Sequence, residues 1–286
     1  MILLDYSGIA VAAIFSQDRP EEIQEGLIRH MILNTIRRYN VQHRDKFGKM
    51  VIACDAHSWR KDYFKNYKAK RKTTREESPL DWKEFFRLIN MVREELEEHM
   101  PYPVIYAESA EADDVIGVLT KETQDFGKDE PVLIISPDKD FLQLHKFKNV
   151  KQFSPMKRDF ITVEDPQKYL FEHICKGDTS DGVPNVLSGD DVFVEGIRQT
   201  PMRKKKIEDW YECRWELDLN MSDEENRNFV RNQKLIDLAY TPQEIADDIV
   251  KQFNEQKEKP NNKILNYLIV KRCSMLVEAA ADFQTK

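Results

Sequence analysis

Three short apolar runs along the chain have the character of buried β-strands, and each leads directly into acidic residues. They are Ile2–Leu4 before Asp5, Met50–Cys54 before Asp55, and Val132–Ser136 before Asp138 and Asp140. Between these runs the apolar positions recur with helical spacing over residues 21–42, 58–70, 80–99 and 111–126. Strands that alternate with helices predict an α/β fold with a mainly parallel central sheet flanked by helices.

The second part of the chain has a different pattern. After residue 180 the strand-like runs cease, and charged, helix-prone segments cover residues 202–217, 222–238, 242–257 and 262–280. We therefore predict an α/β domain over residues 1–185 and a smaller, all-helical domain over residues 186–286. The longest apolar run is far shorter than the roughly 18 residues that a membrane span requires, so we expect no membrane association.

Charge is distributed unevenly along the chain. Its 286 residues carry 44 Lys and Arg against 51 Asp and Glu, a net charge of −7, which on average argues against a polyanion-binding protein. The segment from residue 60 to 75 is nevertheless strongly basic, and a second basic cluster follows far downstream: Arg203, Lys204, Lys205 and Lys206.

The four cysteines stand far apart, which excludes a disulfide framework, and no secretory signal is recognisable, so we expect a cytoplasmic protein.

Acidic residues are the strongest chemical signal in the sequence. The candidates are Asp5, Asp55, Glu111, Asp113, Asp114, Asp138, Asp140, Asp178 and Asp181. The carboxyl ends of parallel strands meet at one edge of a sheet, where clustered carboxylates repel each other unless a cation neutralises them. Oxygen donors without His or Cys favour Mg²⁺ or Mn²⁺. Asp is also common at strand ends and helix caps, which is the better explanation for any single acid but not for the whole set.

The basic segment combines positive charge with aromatic residues. On one helix, lysines spaced 4, 3 and 4 residues apart would form a single stripe: Lys61, Lys65, Lys68 and Lys72. Aromatic residues that could stack on bases are interleaved with them: Trp59, Tyr63, Phe64 and Tyr67. A solvated amphipathic helix is the usual explanation of such a run. The basic segment lies between two candidate metal ligands, Asp55 and Glu111, and this position favours contact with nucleic acid over the solvated helix.

Six short motifs, taken in order, resemble those of the structure-specific 5′-nuclease family, which includes flap endonucleases and the 5′-nuclease domains of bacterial DNA polymerases. The motifs are Ile2-Leu3-Leu4-Asp5, Val51-Ile52-Ala53-Cys54-Asp55, Tyr67-Lys68-Ala69-Lys70-Arg71, Glu111-Ala112-Asp113-Asp114, Ser136-Pro137-Asp138-Lys139-Asp140 and Gly177-Asp178-Thr179-Ser180-Asp181. Within the family, the similarity is greatest to the ribonucleases H of T-even-type phages. It implies a PIN-like 5′-nuclease fold with a helical arch over about residues 58–80.

The resemblance also implies an activity and a site. The expected activity is that of a 5′→3′ exonuclease and flap endonuclease that hydrolyses RNA·DNA and DNA duplexes and removes RNA primers during phage-type DNA replication. Acids that hold the first metal ion in the family, directly or through water, match Asp5, Asp55, Glu111, Asp113, Asp138 and Asp140. Those that serve the second ion match Asp178 and Asp181, with Asp140 nearby, while Asp114 is expected to act through water.

The arch residues are expected to contact the substrate. By resemblance, Lys68 and Arg71 meet the scissile phosphate, and Arg60 and Lys61 support them. The residues expected to be catalytic are these two cations together with the acids Asp5, Asp55, Asp113, Asp138 and Asp140. Lys65, Tyr67 and Lys72 are further candidate contacts. The segment after Asp181 lacks the Gly-x-Gly-x-Lys continuation that grips duplex DNA, often with K⁺, in many relatives. The Arg203–Lys206 cluster is the candidate replacement, with a solvated helix start as its alternative.

The expected cofactors are two Mg²⁺ ions, for which Mn²⁺ can substitute. The expected partners are DNA and RNA·DNA duplexes with 5′ ends, nicks or flaps. A single-strand-binding protein and a sliding clamp are candidate protein partners, and the chain is expected to be a monomer. Two other functions stay open. A PIN-type ribonuclease would cleave single-stranded RNA without preference for 5′ ends, and a catalytically inactive junction-binding protein would lack some of the acids.

Overall fold

A computed structural model describes residues 1–15, 24–125 and 128–285, and of Lys72 only the backbone. Its centre is a six-stranded sheet with the strand order β3-β2-β1-β4-β5-β6. The strands are β1 (Ile2–Asp5), β2 (Met50–Ala53), β3 (Val104–Ile105), β4 (Val132–Ile135), β5 (Val150–Ser154) and β6 (Asp159–Ile161). All neighbouring pairs are parallel except β5 with β6. The predicted mainly parallel sheet is therefore confirmed.

The α-helices pack on both faces of this sheet and continue beyond it. They are α1 (Tyr6–Phe15), α2 (Glu25–Phe47), α3 (Arg60–Tyr63), α4 (Lys70–Glu76), α5 (Trp82–His99), α6 (Ala112–Gln124), α7 (Pro166–Lys176), α8 (Lys204–Glu212), α9 (Leu217–Asn220), α10 (Asp223–Ile236), α11 (Gln243–Gln256), α12 (Ile264–Val270) and α13 (Ser274–Val277). The sequence pattern had not predicted α1, α7, β5 or β6. The first residues of the predicted helix 21–42 and the last residue of the predicted helix 111–126 lie outside the described residues.

The central strands explain why the candidate acids come together. β1, β2 and β4 are almost completely buried, as expected for parallel strands that are covered on both faces. Leu4 pairs with Ile52 of β2 on one side and with Ile135 of β4 on the other. Because the three strands are in this register, their carboxyl ends meet at one edge of the sheet, and Asp5, Asp55 and Asp138 follow there.

The helices after residue 185 do not enclose a core of their own. Tyr267 and Leu268 of α12 join the core beneath α2 and α5, and Ile249 of α11 joins the core on the opposite face, beneath α6. A third core joins Tyr67 of the basic segment and Ile174 of α7 to residues of α8 and α10. The division of the chain at residue 185 stays a prediction. Among the described residues, no helix has both the length and the apolar character needed to cross a bilayer.

The basic segment is not the continuous helix that its spacing predicted. α3 ends at Tyr63 and α4 begins at Lys70, and between them Lys68 takes a left-handed conformation with φ 56°. A residue with positive φ interrupts helical hydrogen bonding, so the predicted stripe of lysines does not form. The predicted helix 262–280 is broken in the same way at Arg272, with φ 55°, between α12 and α13.

Candidate active site

The first candidate ligand, Asp5, is held where β1 turns into α1. Its Oδ1 accepts a hydrogen bond from the backbone N–H of Gly8 at 3.0 Å, and its Oδ2 accepts one from the Ser136 hydroxyl at 2.9 Å. A Cβ atom at Gly8 would lie only 2.9 Å from Oδ2 of Asp5. The glycine therefore allows the helix backbone to approach the carboxylate closely.

Asp55 and the first turn of α6 form the neighbouring part of the edge. Asp55 Oδ1 accepts a hydrogen bond from the backbone N–H of Ala112 at 2.9 Å, which joins the end of β2 to the start of the helix. Glu111 is the N-cap residue of α6, and Asp113 lies in its first turn. Acids at this end of a helix are favoured by the helix dipole. The structure thus brings Asp55, Glu111 and Asp113 to one place, as the sequence predicted.

Asp138 and Asp140 lie at the start of a 3-10 helix over Lys139–Lys146, not in an extended strand. Asp138 is its N-cap residue and accepts a hydrogen bond from the backbone N–H of Asp140 at 2.9 Å. Strand alternation therefore does not bring the two carboxylates to one side. Both nevertheless face one cavity of about 560 Å³, which Asp5 and Asp178 also line.

The downstream pair of acids belongs to a turn rather than a helix. Gly177, with φ 67°, ends α7, and a Cβ there would lie 2.4 Å from the carbonyl oxygen of Val183. Oδ1 of Asp178 then accepts hydrogen bonds from the backbone N–H and the hydroxyl of Ser180, each at 2.7 Å. As a result Asp178 faces the cavity beside Asp140, whereas Asp181 faces the basic segment.

Burial and, after it, repulsion between neighbouring carboxylates raise the pKa values of three acids at this edge. Burial, followed by the charge of Asp55, raises the pKa of Asp5 to about 6. Burial and the neighbouring Asp138 raise the pKa of Asp140 to about 7. Burial also raises the pKa of Asp113 well above its ordinary value. Buried like charges of this kind are stabilised by a bound cation, and the donor atoms here are carboxylate oxygens, which suit hard divalent ions.

Two cations of the basic segment reach the other side of the cluster. Lys68 Nζ forms an ion pair with Glu111 and lies 3.4 Å from Oδ2 of Asp181. Arg71 Nη2 contacts Oδ1 of Asp181 at 2.5 Å. Burial alone would raise the pKa of Glu111, but Lys68 and Arg60 outweigh it and lower the pKa to about 2. Lys68 and Arg71 also line a second cavity of about 1,140 Å³, which meets the first at Ser180.

Three predicted site residues have a structural role instead of the expected one. Arg60 is only 2% exposed, and its guanidinium donates to both oxygens of Asp114 at 2.9 and 3.0 Å. Asp114 is fully buried and also accepts from the Thr241 hydroxyl at 2.8 Å. With its lone pairs occupied in this way, Asp114 is not placed to bind a metal ion, and Arg60 is not placed to touch nucleic acid.

Tyr67 is likewise 4% exposed, so its ring cannot stack on a base. Its hydroxyl lies 2.9 Å from Oε2 of Glu111 and 3.0 Å from Oδ2 of Asp181, and it therefore bridges the two carboxylates. The predicted contact of Tyr67 with nucleic acid is corrected to a positioning role inside the protein. The cause is the turn after α3, which directs Tyr67 inward to the core that it shares with Ile174.

The remaining basic candidates lie at the surface. Lys61 and Lys65 are exposed, and Lys61 lines the second cavity. The side chain of Lys72 lies outside the described residues. The downstream cluster lines neither cavity: Arg203, Lys204 and Lys205 are exposed, and Lys206 contacts Glu225 at 2.5 Å. Contact of these residues with nucleic acid stays a prediction.

The sequence reasoning missed several residues of the site. His173, in the last turn of α7, lies within 3.5 Å of Asp140 and 3.7 Å of Asp178, and Tyr169 lines the same cavity one turn earlier. An aromatic wall of Trp82 and Phe85 lines the second cavity. The only signal available for His173 was its position five residues before Asp178, which becomes informative once α7 is known to end at Gly177.

Comparisons with known proteins agree with this fold. Residues 1–171 match the family model described as "5'-3' exonuclease, N-terminal resolvase-like domain", and residues 166–283 match "T4 RNase H, C terminal". Ribonuclease H of Enterobacteria phage T4 is 35% identical over 98% of this chain and 95% of its own length. Flap endonuclease Xni of Shewanella pealeana is 26% identical over 64% of this chain and 70% of its own length.

A solved structure shares the fold. The T5 D15 protein co-crystallised with metal ions superposes with a TM-score of 0.62 at 19% identity, over 90% of this chain and 99% of that chain. The match of the first model covers more than half of the chain, and the phage relative is similar over almost its whole length. The chain therefore belongs to the 5′-3′ exonuclease family, whose members are phosphodiesterases that cut nucleic acids.

Proposed function

We propose that this protein is a Mg²⁺-dependent 5′→3′ exonuclease and flap endonuclease that hydrolyses RNA·DNA and DNA duplexes. The observation that carries the proposal is the convergence of carboxylates from the ends of three parallel strands with two cations of the basic segment. Asp5, Asp138 and Asp140 line one cavity, and Lys68 and Arg71 line the cavity beside it. Such a combination can hold divalent ions and an anionic phosphate at the same place.

The donor set fits two divalent ions. Asp5, Asp55, Glu111, Asp113, Asp138 and Asp140 would hold the first, and Asp178 would hold the second, near Asp140. Asp181, the other acid expected at the second ion, faces Lys68 and Arg71 instead. Bound divalent ions supply Lewis acidity, which lowers the pKa of water and offsets the charge of a phosphate under attack. Mg²⁺ suits the carboxylate oxygens, and Mn²⁺ accepts the same ligands.

The protein itself orients the ligands and the phosphate. The Ser136 hydroxyl and the Gly8 N–H fix the carboxylate of Asp5 through its two oxygens. The Tyr67 hydroxyl lies between Glu111 and Asp181, within hydrogen-bonding distance of both, and has one proton to donate to them. Lys68, which is mostly buried, is placed to stabilise negative charge on the scissile phosphate, and Arg71 supports it from a more exposed position. The exposed Lys61 and Lys65, with Lys72, are proposed to follow the nucleic-acid backbone.

The proposed substrates are duplexes with 5′ ends, nicks or flaps, and the proposed role is removal of RNA primers during phage-type replication in the cytoplasm of the host. Support comes from similar proteins: one is the Ribonuclease H of phage T4, and a solved structure of similar fold is a T5 D15 flap endonuclease in complex with DNA and metal ions. We propose that the helical region after residue 185, with Arg203–Lys206, contacts the duplex. A single-strand-binding protein and a sliding clamp are the candidate partners of the monomer.

The experiment uses three 5′-labelled substrates: a nicked duplex, a 5′-flap duplex and an RNA·DNA hybrid, each with Mg²⁺, with Mn²⁺ and with EDTA. We expect short products from the 5′ ends only when a divalent ion is present. Asp138→Asn is expected to abolish cleavage, whereas Asp247→Asn, on the exposed surface of α11, removes the same charge and is expected to leave cleavage unchanged. Full turnover by Asp138→Asn would contradict the proposal.

Two other results would favour the alternatives. Tight binding of the flap duplex without cleavage in either metal would favour an inactive junction-binding protein. Cleavage of single-stranded RNA without preference for 5′ ends would favour a PIN-type ribonuclease. The proposal therefore depends on which substrate is cut and where.

A further inference from the structure

A histidine stands among the carboxylates where an all-oxygen site was expected. His173 lines the 560 Å³ cavity together with Asp140 and Asp178. Its Nδ1 lies 3.5 Å from Oδ1 of Asp140, and its Nε2 lies 3.7 Å from Oδ2 of Asp178. One potential ligand atom from each of the three residues lies within 4.8 Å of the other two. The imidazole is thus part of the cluster and not merely close to it.

One nitrogen of the ring lacks a partner. Nδ1 of His173 is buried and has no hydrogen-bond partner among the described residues. Buried polar atoms are normally paired, so an unpaired nitrogen facing carboxylates calls for an explanation. The two oxygens of Asp178 have different surroundings. Oδ1 accepts hydrogen bonds from Ser180 and from the backbone N–H of Asp181, whereas Oδ2 faces the histidine. His173 and Asp178 line the same cavity, with Nδ1 of the ring turned to Asp140 and Nε2 turned to Asp178.

The separations suit a shared ion. Two ligands that each lie about 2.1 Å from one ion, at angles between 90° and 109°, are about 3.0–3.4 Å apart. The distance of 3.5 Å from Nδ1 to Oδ1 of Asp140 is close to this range. Asp178 lies nearest the other nitrogen, Nε2, at 3.7 Å, so its carboxylate must turn toward Nδ1 to share the same ion. α7 supplies His173 from its last turn, and the Gly177 turn supplies Asp178 five residues later, so one short segment provides two of the three groups. Asp140 comes from the adjacent 3-10 helix.

We propose that His173 ligates the second metal ion together with Asp140 and Asp178, so that this position selects first-row transition dications over Mg²⁺. The reason is the nitrogen donor: imidazole adds affinity for transition dications, whereas Mg²⁺ prefers oxygen ligands and keeps its waters. The inference rests on the proposed two-ion nuclease site and assigns it a different chemistry at each ion position. The first position, with carboxylates alone, suits Mg²⁺.

Binding of Mn²⁺ tests the inference without reference to cleavage. Free Mn²⁺ is counted by its EPR signal during titration of the wild type, His173→Ala and His173→Gln, with and without competing Mg²⁺. We expect loss of the imidazole to weaken one Mn²⁺ site by at least about tenfold and to change Mg²⁺ affinity much less. The control is His30→Ala, in α2, which lines neither cavity and is expected to behave as the wild type.

A second measurement needs no variant. Pulsed EPR of the Mn²⁺-loaded wild type is expected to show a ¹⁴N coupling from a directly bound imidazole. Absence of that coupling at full occupancy, or equal Mn²⁺ affinity in His173→Gln and wild type, would overturn the inference even if the protein cuts flaps efficiently. Conversely, a nitrogen-ligated ion in a protein that cuts none of the substrates would support the inference and contradict the nuclease proposal.

Discussion

Arg60 and Asp114 form a buried, two-pronged ion pair, with Nη1 donating to Oδ2 at 2.9 Å and Nη2 donating to Oδ1 at 3.0 Å. Arg60 Nε also donates to the carbonyl oxygen of Leu235 at 2.9 Å, and Asp114 accepts from the hydroxyl of Thr241. The pair therefore connects the base of the basic segment, the start of α6 and the helical region. It also orients Glu111, which accepts from Arg60 Nη1 at 3.2 Å.

Removal of the arginine should destabilise the protein strongly. Arg60→Ala leaves Asp114 charged, buried and unpaired, which typically costs about 3–5 kcal/mol in the free energy of unfolding. The double variant Arg60→Ala/Asp114→Asn should recover part of this loss, because the uncompensated charge is gone. Urea unfolding followed by circular dichroism measures both. Additive losses in the double variant would show that the pair is not coupled.

Loss of the cation beside Glu111 should slow catalysis more than it weakens binding. Lys68→Gln removes the charge but keeps a polar side chain, one atom shorter, and we expect kcat on a flap duplex to fall about 10²-fold or more. Lys61→Gln, at an exposed position on the same cavity, should leave kcat nearly unchanged and reduce the slope of log affinity against log salt by about 0.9. Single-turnover kinetics and salt titrations distinguish the two effects. Equal effects of the two substitutions on kcat would exclude a special role for Lys68.

The sequence predicted the positions of the acids better than the roles of the cations. Asp5, Asp55 and Asp138 follow buried apolar runs, and parallel pairing alone brings strand ends together, so a local pattern sufficed. The prediction for Arg60 was wrong because its buried guanidinium donates to the carbonyl oxygen of Leu235, far along the chain. Local spacing does not reveal such a contact. Arg60 was therefore predicted to contact nucleic acid at the surface, although it forms a buried ion pair with Asp114.

The missed elements have a similar cause. Apolar residues lie on nearly all sides of α1, so its sequence shows no alternation of apolar and polar positions with helical spacing. It nevertheless forms a helix, which packs against α2. The predicted lysine stripe does not form because Lys68 adopts a positive φ. In that conformation its backbone N–H donates to the carbonyl oxygen of Asp181 at 2.7 Å. This contact between distant segments overrides the local helical preference of the basic run.

Stability of the metal-free protein should depend on pH in a defined direction. Asp5 and Asp140 have native pKa values of about 6 and about 7, whereas an unfolded chain has Asp values of about 3.9. Between these values the native state binds more protons than the unfolded state, so the free energy of unfolding falls as pH rises from about 4 to about 7. In EDTA, Asp140→Asn should flatten this fall and raise the unfolding temperature at about pH 8.

The matched control for that experiment is Asp247→Asn, which should leave the pH profile unchanged because Asp247 is exposed on α11. Histidines far from Asp140 contribute equally to all three proteins and cancel in the comparison. His173 does not cancel, because Asp140 helps to raise its pKa, so the flattening in Asp140→Asn includes the loss of that interaction. Added Mg²⁺ should stabilise the wild type more at high than at low pH, since its ligands must be deprotonated. A wild-type stability in EDTA that rises over the same pH interval would contradict the raised pKa values.

Substitution of Gly8 should separate stability from activity. Ala is favoured over Gly inside a helix by about 1 kcal/mol, and Gly8 lies within α1. The added Cβ, however, would come within 2.9 Å of Oδ2 of Asp5, and the carboxylate must move to accommodate it. Gly8→Ala is therefore expected to leave the unfolding temperature unchanged or higher while it weakens Mn²⁺ binding and slows cleavage by about tenfold or more, as for other misplaced ligands.

Gly26→Ala, in α2, is the matched control because a Cβ there meets no atom within 4 Å. It should give the same helical gain without any effect on metal binding or cleavage. Calorimetry and the Mn²⁺ titration, carried out on both variants, provide the comparison. Normal Mn²⁺ affinity and cleavage in Gly8→Ala would show that the position of the Asp5 carboxylate tolerates displacement, and that the close approach at Gly8 serves packing alone.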